Sequence, residues 1–469
     1  MAEETVGKSS GYVGPVEEYV PNEGSVGRRK ITFLGASYKF VHRVFRDMLL
    51  VGGFGEVEVC LHDIRPEPIR LIGDLLEKMA RQKETRVRIT RTLDRREALR
   101  GTDAAILSIT TGGRESDFRG YEVCARHGIP VAIGDTLGPP ALARCLRTVP
   151  VAVEVVRDME RLCPDAVMLN FTNPMSAITG AMARYSGIPT WGLCHSADEL
   201  SRYFATVFGC EKSDVQMDVG GVNHQAFVVR LLIRGKDRTA DILEATGASD
   251  AAIDDSLLGT RDEDVRLQRD LLRVLGVWPS TGHTHLAEFY EYFLTERRMD
   301  ELGLRGHLRA PRPDAPPPTP WAEPPDILRE WAYGPQPVGD MHLLTVEHAH
   351  DLLWACLTGQ PCTRVLNLLN AGPYLAGLPE SACVEALATV AGRSVTGRQI
   401  ALPPAAHSLV QRWTTIHDLS IQGAMQCDRD AARQALFLDP HVRDLYDIEP
   451  LLEDMLEATR PWLPPAWFR

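Results

Sequence analysis

The sequence predicts an α/β fold in which a parallel β-sheet carries helices on both faces. Over the first 200 residues, short apolar runs rich in β-branched residues alternate with segments of helical periodicity. Buried parallel strands have such continuous apolar runs, and strand–helix alternation is typical of a doubly wound sheet. Polar or glycine-rich residues follow several of the runs. Ligands of these sheets bind outside the carboxyl ends of the strands, so we expect the functional residues there.

The predicted elements follow one another at short intervals. Strands are expected at 29–35, 57–64, 86–90, 104–109, 166–171 and 190–194. Helices are expected at 40–50, where apolar residues recur at helical spacing up to Gly52-Gly53, and at about 68–81.

After about residue 200 the pattern changes to longer elements. A single long strand is expected at 218–229, and helices at 262–275, 345–357 and 409–438. Residues 306–337 are rich in proline, which fixes φ and removes a backbone donor, so we expect a surface insertion there. This half of the chain is expected to form a second, α+β domain.

Composition excludes several classes of protein. The 469 residues contain 51 Lys and Arg against 63 Asp and Glu, a formal net charge of −12, which does not favour nucleic acid or an anionic membrane as a partner. No apolar stretch is long enough to span a membrane, and no secretory signal is apparent in residues 1–28. Ten cysteines are scattered without a CxxC pair, which favours a reducing compartment. We therefore expect a cytoplasmic protein.

The turn after the first strand resembles a dinucleotide-binding site. Gly35, Ala36 and Ser37 follow that strand, and Asp63 follows the second. A glycine permits the tight turn, and an acidic residue can bind the ribose hydroxyls. The spacing to Asp63 is longer than the usual ~20 residues and the second glycine is missing, so an ordinary βα turn is the alternative. The local sequence therefore leaves both an NAD site and an ordinary turn open.

Two short motifs contain residues that could bind a metal ion. They are Cys194-His195-Ser196 and the Asn223-His224 end of Gly221-Val222-Asn223-His224. A thiolate and an imidazole suit a borderline divalent metal. A lone cysteine and a lone histidine are more often packed core residues, so the local sequence alone leaves both interpretations open.

Taken together, the motifs resemble those of glycoside hydrolase family 4, the NAD- and divalent-metal-dependent glycosidases, in the branch of α-galactosidases, α-glucosidases and α-glucuronidases. The resemblance extends over roughly residues 29–465. Its landmarks, in order, are Gly35-Ala36-Ser37-Tyr38, Asp63, Asp94 to Leu99, Gly134 to Pro139, Asn170 to Met175, Gly192 to Ser196, Gly221 to His224, His285 to Glu288, Asn370-Ala371-Gly372, Leu378-Pro379 and Leu438-Asp439-Pro440.

The resemblance implies a fold similar to lactate and malate dehydrogenases. It also implies a mechanism in which NAD⁺ oxidises the sugar 3-hydroxyl, a base removes the C2 proton and the aglycone leaves by elimination. By position, Cys194 and His224 would bind the metal ion, expected to be Mn²⁺, and Asn173 would bind substrate near it. The sequence Cys194-His195-Ser196, with histidine after the cysteine, resembles the family members that act on unphosphorylated α-glycosides.

The chain departs from the family pattern at three places. The opening loop is one residue shorter, and Pro140-Ala141 stand where the family has two glycines. Phe289 stands where the family has the tyrosine that serves as candidate base, and a phenyl ring cannot accept a proton, so Tyr290 becomes the candidate. An NAD-dependent sugar oxidoreductase or epimerase on the same scaffold is therefore the alternative function, and a non-catalytic NAD or sugar sensor is a third.

We expect three segments. Residues 1–28 form a poorly ordered tail, residues 29–197 an NAD-binding, Rossmann-like domain, and residues 198–469 a domain for substrate, metal and oligomerisation. The expected assembly is a homodimer or homotetramer.

Overall fold

The computed structural model describes residues 13–15, 22–247, 265–309, 319–345 and 348–469. The chain starts with a short strand, β1 (Val13–Pro15), which pairs with residues 343–345 outside the main sheet.

Six parallel strands form one half of a thirteen-stranded sheet. They are β2 (Lys30–Leu34), β3 (Glu58–His62), β4 (Arg88–Thr92), β5 (Ala104–Leu107), β6 (Val167–Asn170) and β7 (Thr190–Gly192). Their order across the sheet is β4-β3-β2-β5-β6-β7. This 3-2-1-4-5-6 order is that of the Rossmann fold, and it confirms the predicted doubly wound sheet. Each of the six predicted strands has its counterpart, with ends that differ by up to about two residues.

The other half of the sheet is antiparallel and comes from the second half of the chain. Its strands are β8 (Val215–Val222), β9 (Gln225–Ile233), β10 (Lys236–Asp237), β11 (Trp278–Pro279), β13 (Cys362–Leu369), β14 (Cys383–Ala391) and β15 (Ser394–Gly397), while β12 (Leu343–Thr345) is the partner of β1. β13 pairs with β7 where Asn367 lies opposite Gly192. The sheet therefore continues across the domain boundary expected at residue 197.

Helices cover the sheet. They are α1 (Val41–Val51), α2 (Pro66–Gln82), α3 (Arg95–Leu99), α4 (Gly113–Arg126), α5 (Gly138–Leu162), α6 (Met175–Arg184), α7 (Ser196–Phe208), α8 (Ile242–Gly247), α9 (Arg266–Leu275), α10 (His283–Phe289), α11 (Glu296–Glu301), α12 (Asp326–Tyr333), α13 (Ala349–Thr358), α14 (Pro404–Gln426), α15 (Arg429–Leu438) and α16 (Ile448–Thr459). Short 3₁₀ helices occupy Lys212–Asp214, Thr239–Asp241, Leu304–His307, Leu445–Asp447, Arg460–Trp462 and Pro465–Phe468.

Local sequence explains several helix ends. Asp94 caps α3, because its carboxylate accepts hydrogen bonds from the amides of Arg96 at 2.8 Å and Glu97 at 3.3 Å. α2 begins with proline, whose missing N–H costs nothing in the first helical turn. Gly52, with φ of 75°, ends α1 as the Gly52-Gly53 pair predicts.

Two predictions for the second half are wrong in detail. The single strand expected at 218–229 is a hairpin, β8 and β9, whose turn is Asn223-His224. The single helix expected at 409–438 is two helices, α14 and α15, because Cys427 takes a left-handed conformation with φ of 53° between them. The helix expected at 262–275 is observed as α9, and its first predicted residues, 262–264, lie outside the described residues.

The described parts of the expected tail make defined contacts. β1 pairs with β12, and the amides of Asn22 and Val26 donate to the carbonyls of Val51 at 2.9 Å and Gly53 at 3.0 Å. Residues 1–12 and 16–21 of that tail, and 310–318 of the proline-rich segment, lie outside the described residues.

A continuous apolar core lies on both faces of the sheet and includes side chains from both halves of the chain. A smaller apolar cluster, including Phe204 and Trp278, lies between α7, β9 and β11. Among the described helices, none combines the length and apolarity that a membrane span needs.

Candidate functional site

The loop after β2 forms a tight turn against two neighbouring strands. Gly35 has φ of 91°, and a Cβ at this position would collide with the carbonyl oxygen of Ser108, which follows β5. The Asp63 carboxylate, after β3, accepts hydrogen bonds from the Ala36 amide at 3.1 Å and the Arg65 amide at 3.0 Å. The predicted residues Gly35, Ala36 and Asp63 are therefore brought together. This close-packed cradle fits a dinucleotide, whose pyrophosphate needs near approach to the backbone.

Ser37 lies at the next position of the same loop. Its hydroxyl accepts a hydrogen bond from the Lys39 amide at 3.2 Å and so supports the turn that leads into α1. No contact in the structure distinguishes a ligand-binding role for Ser37 from this supporting one.

Asp135, His224 and His285 form a cluster that could hold a metal ion. One potential ligand atom from each lies within 4.8 Å of the others. The His224 and His285 rings meet edge to face, with centroids 4.1 Å apart. His224 occupies the β8–β9 turn with φ of 64°, an uncommon conformation for a residue with a side chain. His224 is one of the predicted metal ligands, whereas the sequence analysis gave no role to Asp135 or His285.

The hydroxyl of Thr136 orients the imidazole of His224. It lies 2.7 Å from Asp135 Oδ1, to which it donates, and 3.0 Å from His224 Nδ1. A hydroxyl has one hydrogen, so once Asp135 receives it, Nδ1 of His224 must be the donor to Thr136. The lone pair of His224 is then on Nε2, which is the form in which an imidazole binds a metal ion.

Charges around Asp135 keep it ionised. Burial would raise the pKa of this carboxyl, but His285, Arg144 and His224 hold the pKa well below its usual range. Burial lowers the pKa of His224, with Asp135 and Glu385 acting against it. A carboxylate beside two imidazole rings is a donor set that suits a divalent cation.

Asn173 lies beside the same cluster, at the end of β6. Its Nδ2 donates to Asp135 Oδ2 at 3.0 Å, and its buried Oδ1 has no hydrogen-bond partner in the structure. The peptide bond between Asn173 and Pro174 is cis. The predicted substrate-binding residue therefore presents a free acceptor next to the candidate metal centre.

Cys194 is not part of the cluster of Asp135, His224 and His285. Its sulfur lies 3.2 Å from the Ser196 hydroxyl, and burial raises the pKa of the thiol to about 11. Cys194 and His224 share electrostatic neighbours, since both interact with Glu385 and His195. The pairing of Cys194 with His224 as ligands stays a prediction.

His195, at the start of α7, faces Glu199. Its Nε2 lies 3.5 Å from Glu199 Oε1. His195 interacts electrostatically with both Cys194 and His224, so these three residues lie close together.

Glu385 is a buried carboxylate in this neighbourhood that the sequence analysis missed. One oxygen accepts hydrogen bonds from Asn223 Nδ2 at 3.1 Å and Asn367 Nδ2 at 2.9 Å, and the other has no partner in the structure. Burial raises the pKa of Glu385. No local signal marked it, because it lies inside an ordinary apolar strand, β14.

The two aromatic residues after Glu288 have different surroundings. Phe289 is buried against Trp413, with ring centroids 5.3 Å apart and planes at 75°. Tyr290 is also buried, and burial raises the pKa of its hydroxyl, which lies near the Gln225 side chain. Gln225 follows His224, so the predicted base lies next to the turn that holds the candidate metal ligand.

Glu288 supports the loop before Asp135. Its carboxylate accepts hydrogen bonds from the amides of Ala132 at 2.6 Å, Ile133 at 2.5 Å and Gly134 at 3.0 Å. Burial raises the pKa of Glu288 to about 7, even though these amides act in the opposite direction.

Comparison with known proteins gives a family match over most of the chain. The model for family 4 glycosyl hydrolases matches residues 30–208, and the model for their C-terminal domain matches residues 219–442. An α-galactosidase from Bacillus subtilis (strain 168) is 29% identical over 447 residues, which are 93% of this chain and 99% of the relative.

Solved structures share the fold. A 6-phospho-alpha-glucosidase from gut microorganisms, in complex with NAD and Mn²⁺, has a TM-score of 0.75 at 17% identity and covers 93% of this chain and 99% of its own. The malate dehydrogenase of Plasmodium falciparum has a TM-score of 0.51 at 11% identity, over 85% of this chain and 99% of its own. The fold expected from the resemblance is thus confirmed. Because the two family models together cover well over half of the sequence, the chain belongs to the family 4 glycosyl hydrolases.

Proposed function

We propose that the chain is an NAD- and Mn²⁺-dependent glycosidase that acts on an unphosphorylated glycoside by transient oxidation at C3, deprotonation at C2 and elimination. The observation that carries the proposal is the hydrogen-bonded series Asn173–Asp135–Thr136–His224, joined by His285. Asn173 follows β6 and so places this series beside the parallel half of the sheet. The names of the relatives, an α-galactosidase and an α-glucosidase among them, support an unphosphorylated sugar.

The residues have separate roles in this proposal. When bound, NAD⁺ would accept a hydride from the sugar and the metal ion would act as a Lewis acid on the adjacent oxygens. His224 would hold the metal ion through Nε2, with Cys194 as the second predicted ligand. Asn173 Oδ1 would accept a hydrogen bond from a sugar hydroxyl, since no described residue is its partner. Asp63 would bind the adenosine ribose, which favours NAD⁺ over NADP⁺ because a carboxylate repels a 2′-phosphate.

Proton removal at C2 is assigned to the Tyr290 hydroxyl. Phe289 has no proton acceptor and packs into the core against Trp413, whereas Tyr290 lies beside Gln225 and the β8–β9 turn. Only the phenolate form of Tyr290 can accept the C2 proton, and a buried phenolate needs its negative charge stabilised, which a bound cation nearby would do.

The fate of the hydrogen on C2 tests the proposal. Incubation of the enzyme with NAD⁺, Mn²⁺ and a p-nitrophenyl α-galactoside or α-glucoside in D₂O should release nitrophenol and place deuterium at C2 of the sugar. Tyr290→Phe should lower the rate by about 10²–10⁴-fold, the usual contribution of a positioned base. The matched control is Tyr292→Phe, a change at an exposed tyrosine two residues along, which should leave the rate unaltered.

An NAD-dependent sugar oxidoreductase or epimerase is the second candidate, favoured by the burial of both Phe289 and Tyr290. This function needs hydride transfer but no elimination base. Retention of protium at C2, inversion at one carbinol and no released aglycone would establish it and exclude the glycosidase mechanism.

A further inference from the structure

Residues 319–325 of the proline-rich segment lie directly on the start of α4. The Pro320 carbonyl oxygen accepts a hydrogen bond from the Glu115 amide at 3.4 Å. A Cβ at Gly113 would collide with that oxygen and would lie 2.6 Å from Cε3 of Trp321. The half-buried indole of Trp321 thus packs on the backbone of Gly113, and only glycine leaves room for it.

The same indole contacts the loop after β3. The guanidinium of Arg65 lies over the Trp321 ring, 4.7 Å from its centroid, which is a cation–π arrangement. Arg65 is two residues from Asp63 and donates its amide to the Asp63 carboxylate at 3.0 Å. Trp321 therefore bridges the loop after β3 and the loop after β5.

These two loops flank the Gly35 turn, because β3 and β5 are the two neighbours of β2 in the sheet. If the Asp63 carboxylate binds the adenosine ribose, the adenine attached to that ribose must lie within about one ring length of Asp63. Two surfaces there can contact a flat base. One is the Trp321–Arg65 pair, and the other is Ile64, whose side chain is 73% exposed.

The segment that carries Trp321 is anchored on the dinucleotide side of the molecule. α12 follows it and docks on α2 through Tyr333, whose hydroxyl donates to Asp74 at 3.0 Å. Lys78 donates to the Gly334 carbonyl at 2.8 Å, and Arg329 lies 3.3 Å from Glu67. The contacts of α12 with α2 thus hold the segment that carries the indole close to the loop after β3.

We propose that Trp321 binds the adenine of NAD⁺ by stacking, so that residues 319–325 of the proline-rich segment complete the cofactor site. This inference rests on the proposed function for its ligand and goes beyond it in assigning a residue outside the Rossmann-like sheet to the adenosine half. Base–aromatic stacking is tolerant of the base but sensitive to loss of the ring, which makes the effect of truncation predictable.

Three ligands separate the two halves of the cofactor. NAD⁺ carries both, ADP-ribose carries the adenosine half, and nicotinamide mononucleotide carries only the other half. Titration calorimetry on dinucleotide-free protein should show Trp321→Ala weakening NAD⁺ and ADP-ribose by about 5- to 100-fold, with nicotinamide mononucleotide unchanged. Trp321→Phe, which keeps a flat ring, should stay within a few-fold of wild type.

Three results would overturn the assignment. An NAD⁺ affinity of Trp321→Ala that is unchanged or tighter would show that the indole does not stack on the base. Equal weakening of all three ligands, with a lowered melting temperature, would show that Trp321 supports the fold. Wild-type protein that binds neither NAD⁺ nor ADP-ribose would overturn both this inference and the cofactor of the proposed function. A Trp321→Ala protein with normal Mn²⁺ binding and selective loss of ADP-ribose would support it.

Discussion

The Thr136 hydroxyl fixes the tautomer and the orientation of the His224 side chain. Thr136→Val keeps the shape of the side chain but removes the donor to Asp135 and the acceptor for Nδ1. We expect Mn²⁺ affinity to fall about 10- to 100-fold, the usual effect of losing such a partner. Thr136→Ser should retain most of the affinity. Mn²⁺ titration followed by electron paramagnetic resonance measures both, and equal affinity of the valine and serine variants would contradict the role.

Cys194 and His285 distinguish two possible donor sets for the metal ion. The predicted pair is Cys194 with His224, while the geometry groups His224 with Asp135 and His285. Cys194→Ser should abolish tight Mn²⁺ binding, since a hydroxyl is a far poorer ligand than a thiolate. Cys210→Ser, at another partly exposed cysteine, is the control and should bind normally. If Cys194→Ser keeps its Mn²⁺ and His285→Gln loses it, the three-residue cluster is the centre and the predicted pairing is wrong.

At the scale of elements, continuous apolar runs predicted five of the six parallel strands, because strands buried on both faces lack polar interruptions. β4 has no such run, since it is an edge strand whose residues are exposed or half-buried. The same reasoning failed at the hairpin of β8 and β9. Its turn, Asn223-His224, lacks the glycine that usually marks a two-residue connection, and apolar residues continue on both sides. The prediction of the site was incomplete as well. His224 was predicted from a motif, whereas Asp135 and His285 are distant in sequence and are brought beside it only by the fold. Glu385 carried no signal, since a single acid in an apolar strand is not distinctive.

Glu288 connects α10 to the loop that precedes Asp135. Glu288→Ala would leave the amides of Ala132, Ile133 and Gly134 buried without an acceptor, at about 1–3 kcal/mol for each unsatisfied group. We expect the free energy of unfolding to fall by at least about 2 kcal/mol in urea denaturation. Glu288→Gln keeps one acceptor oxygen and should lose less. An alanine variant as stable as wild type would show that water replaces the carboxylate.

His350 joins α13 to α1 and makes stability depend on pH. Its Nε2 lies 3.3 Å from Asp351 and its Nδ1 3.6 Å from Asp47. Burial alone would lower the pKa of His350, but Asp351 and Asp47 raise it to about 9. A raised histidine pKa stabilises the fold fully below about pH 6.5, the value in the unfolded chain, and this stability is lost as the pH rises through 9.

We therefore expect the free energy of unfolding to fall by roughly 1–3 kcal/mol between pH 6 and pH 9.5 on account of His350. Urea denaturation across this range measures it. His350→Gln, which cannot titrate, should flatten that part of the pH profile. An unchanged slope in the variant would assign the pH dependence to other groups.

At the scale of the whole molecule, contacts between the two halves of the chain are extensive. α14 packs closely on α5 and α6, so that a Cβ at Gly423 would lie 3.4 Å from Leu146, and one at Gly180 would lie 3.7 Å from Ile421. Arg184 on α6 forms an ion pair with Asp418 on α14. The parallel half of the sheet therefore has one apolar face that depends on helices from the C-terminal half.

The fragment of residues 1–197, which ends at the predicted domain boundary, tests this dependence. Although its six strands have the complete Rossmann order, removing β13 and α14 exposes the edge of β7 and the apolar surfaces of α5 and α6. We expect the fragment to retain secondary structure by far-ultraviolet circular dichroism, to bind the dye ANS strongly and to unfold without a cooperative transition. The full-length chain is the control and should unfold cooperatively with little dye binding. A fragment that unfolds cooperatively and binds NAD⁺ would show instead that residues 29–197 form an independent domain, because a self-sufficient core is what defines one.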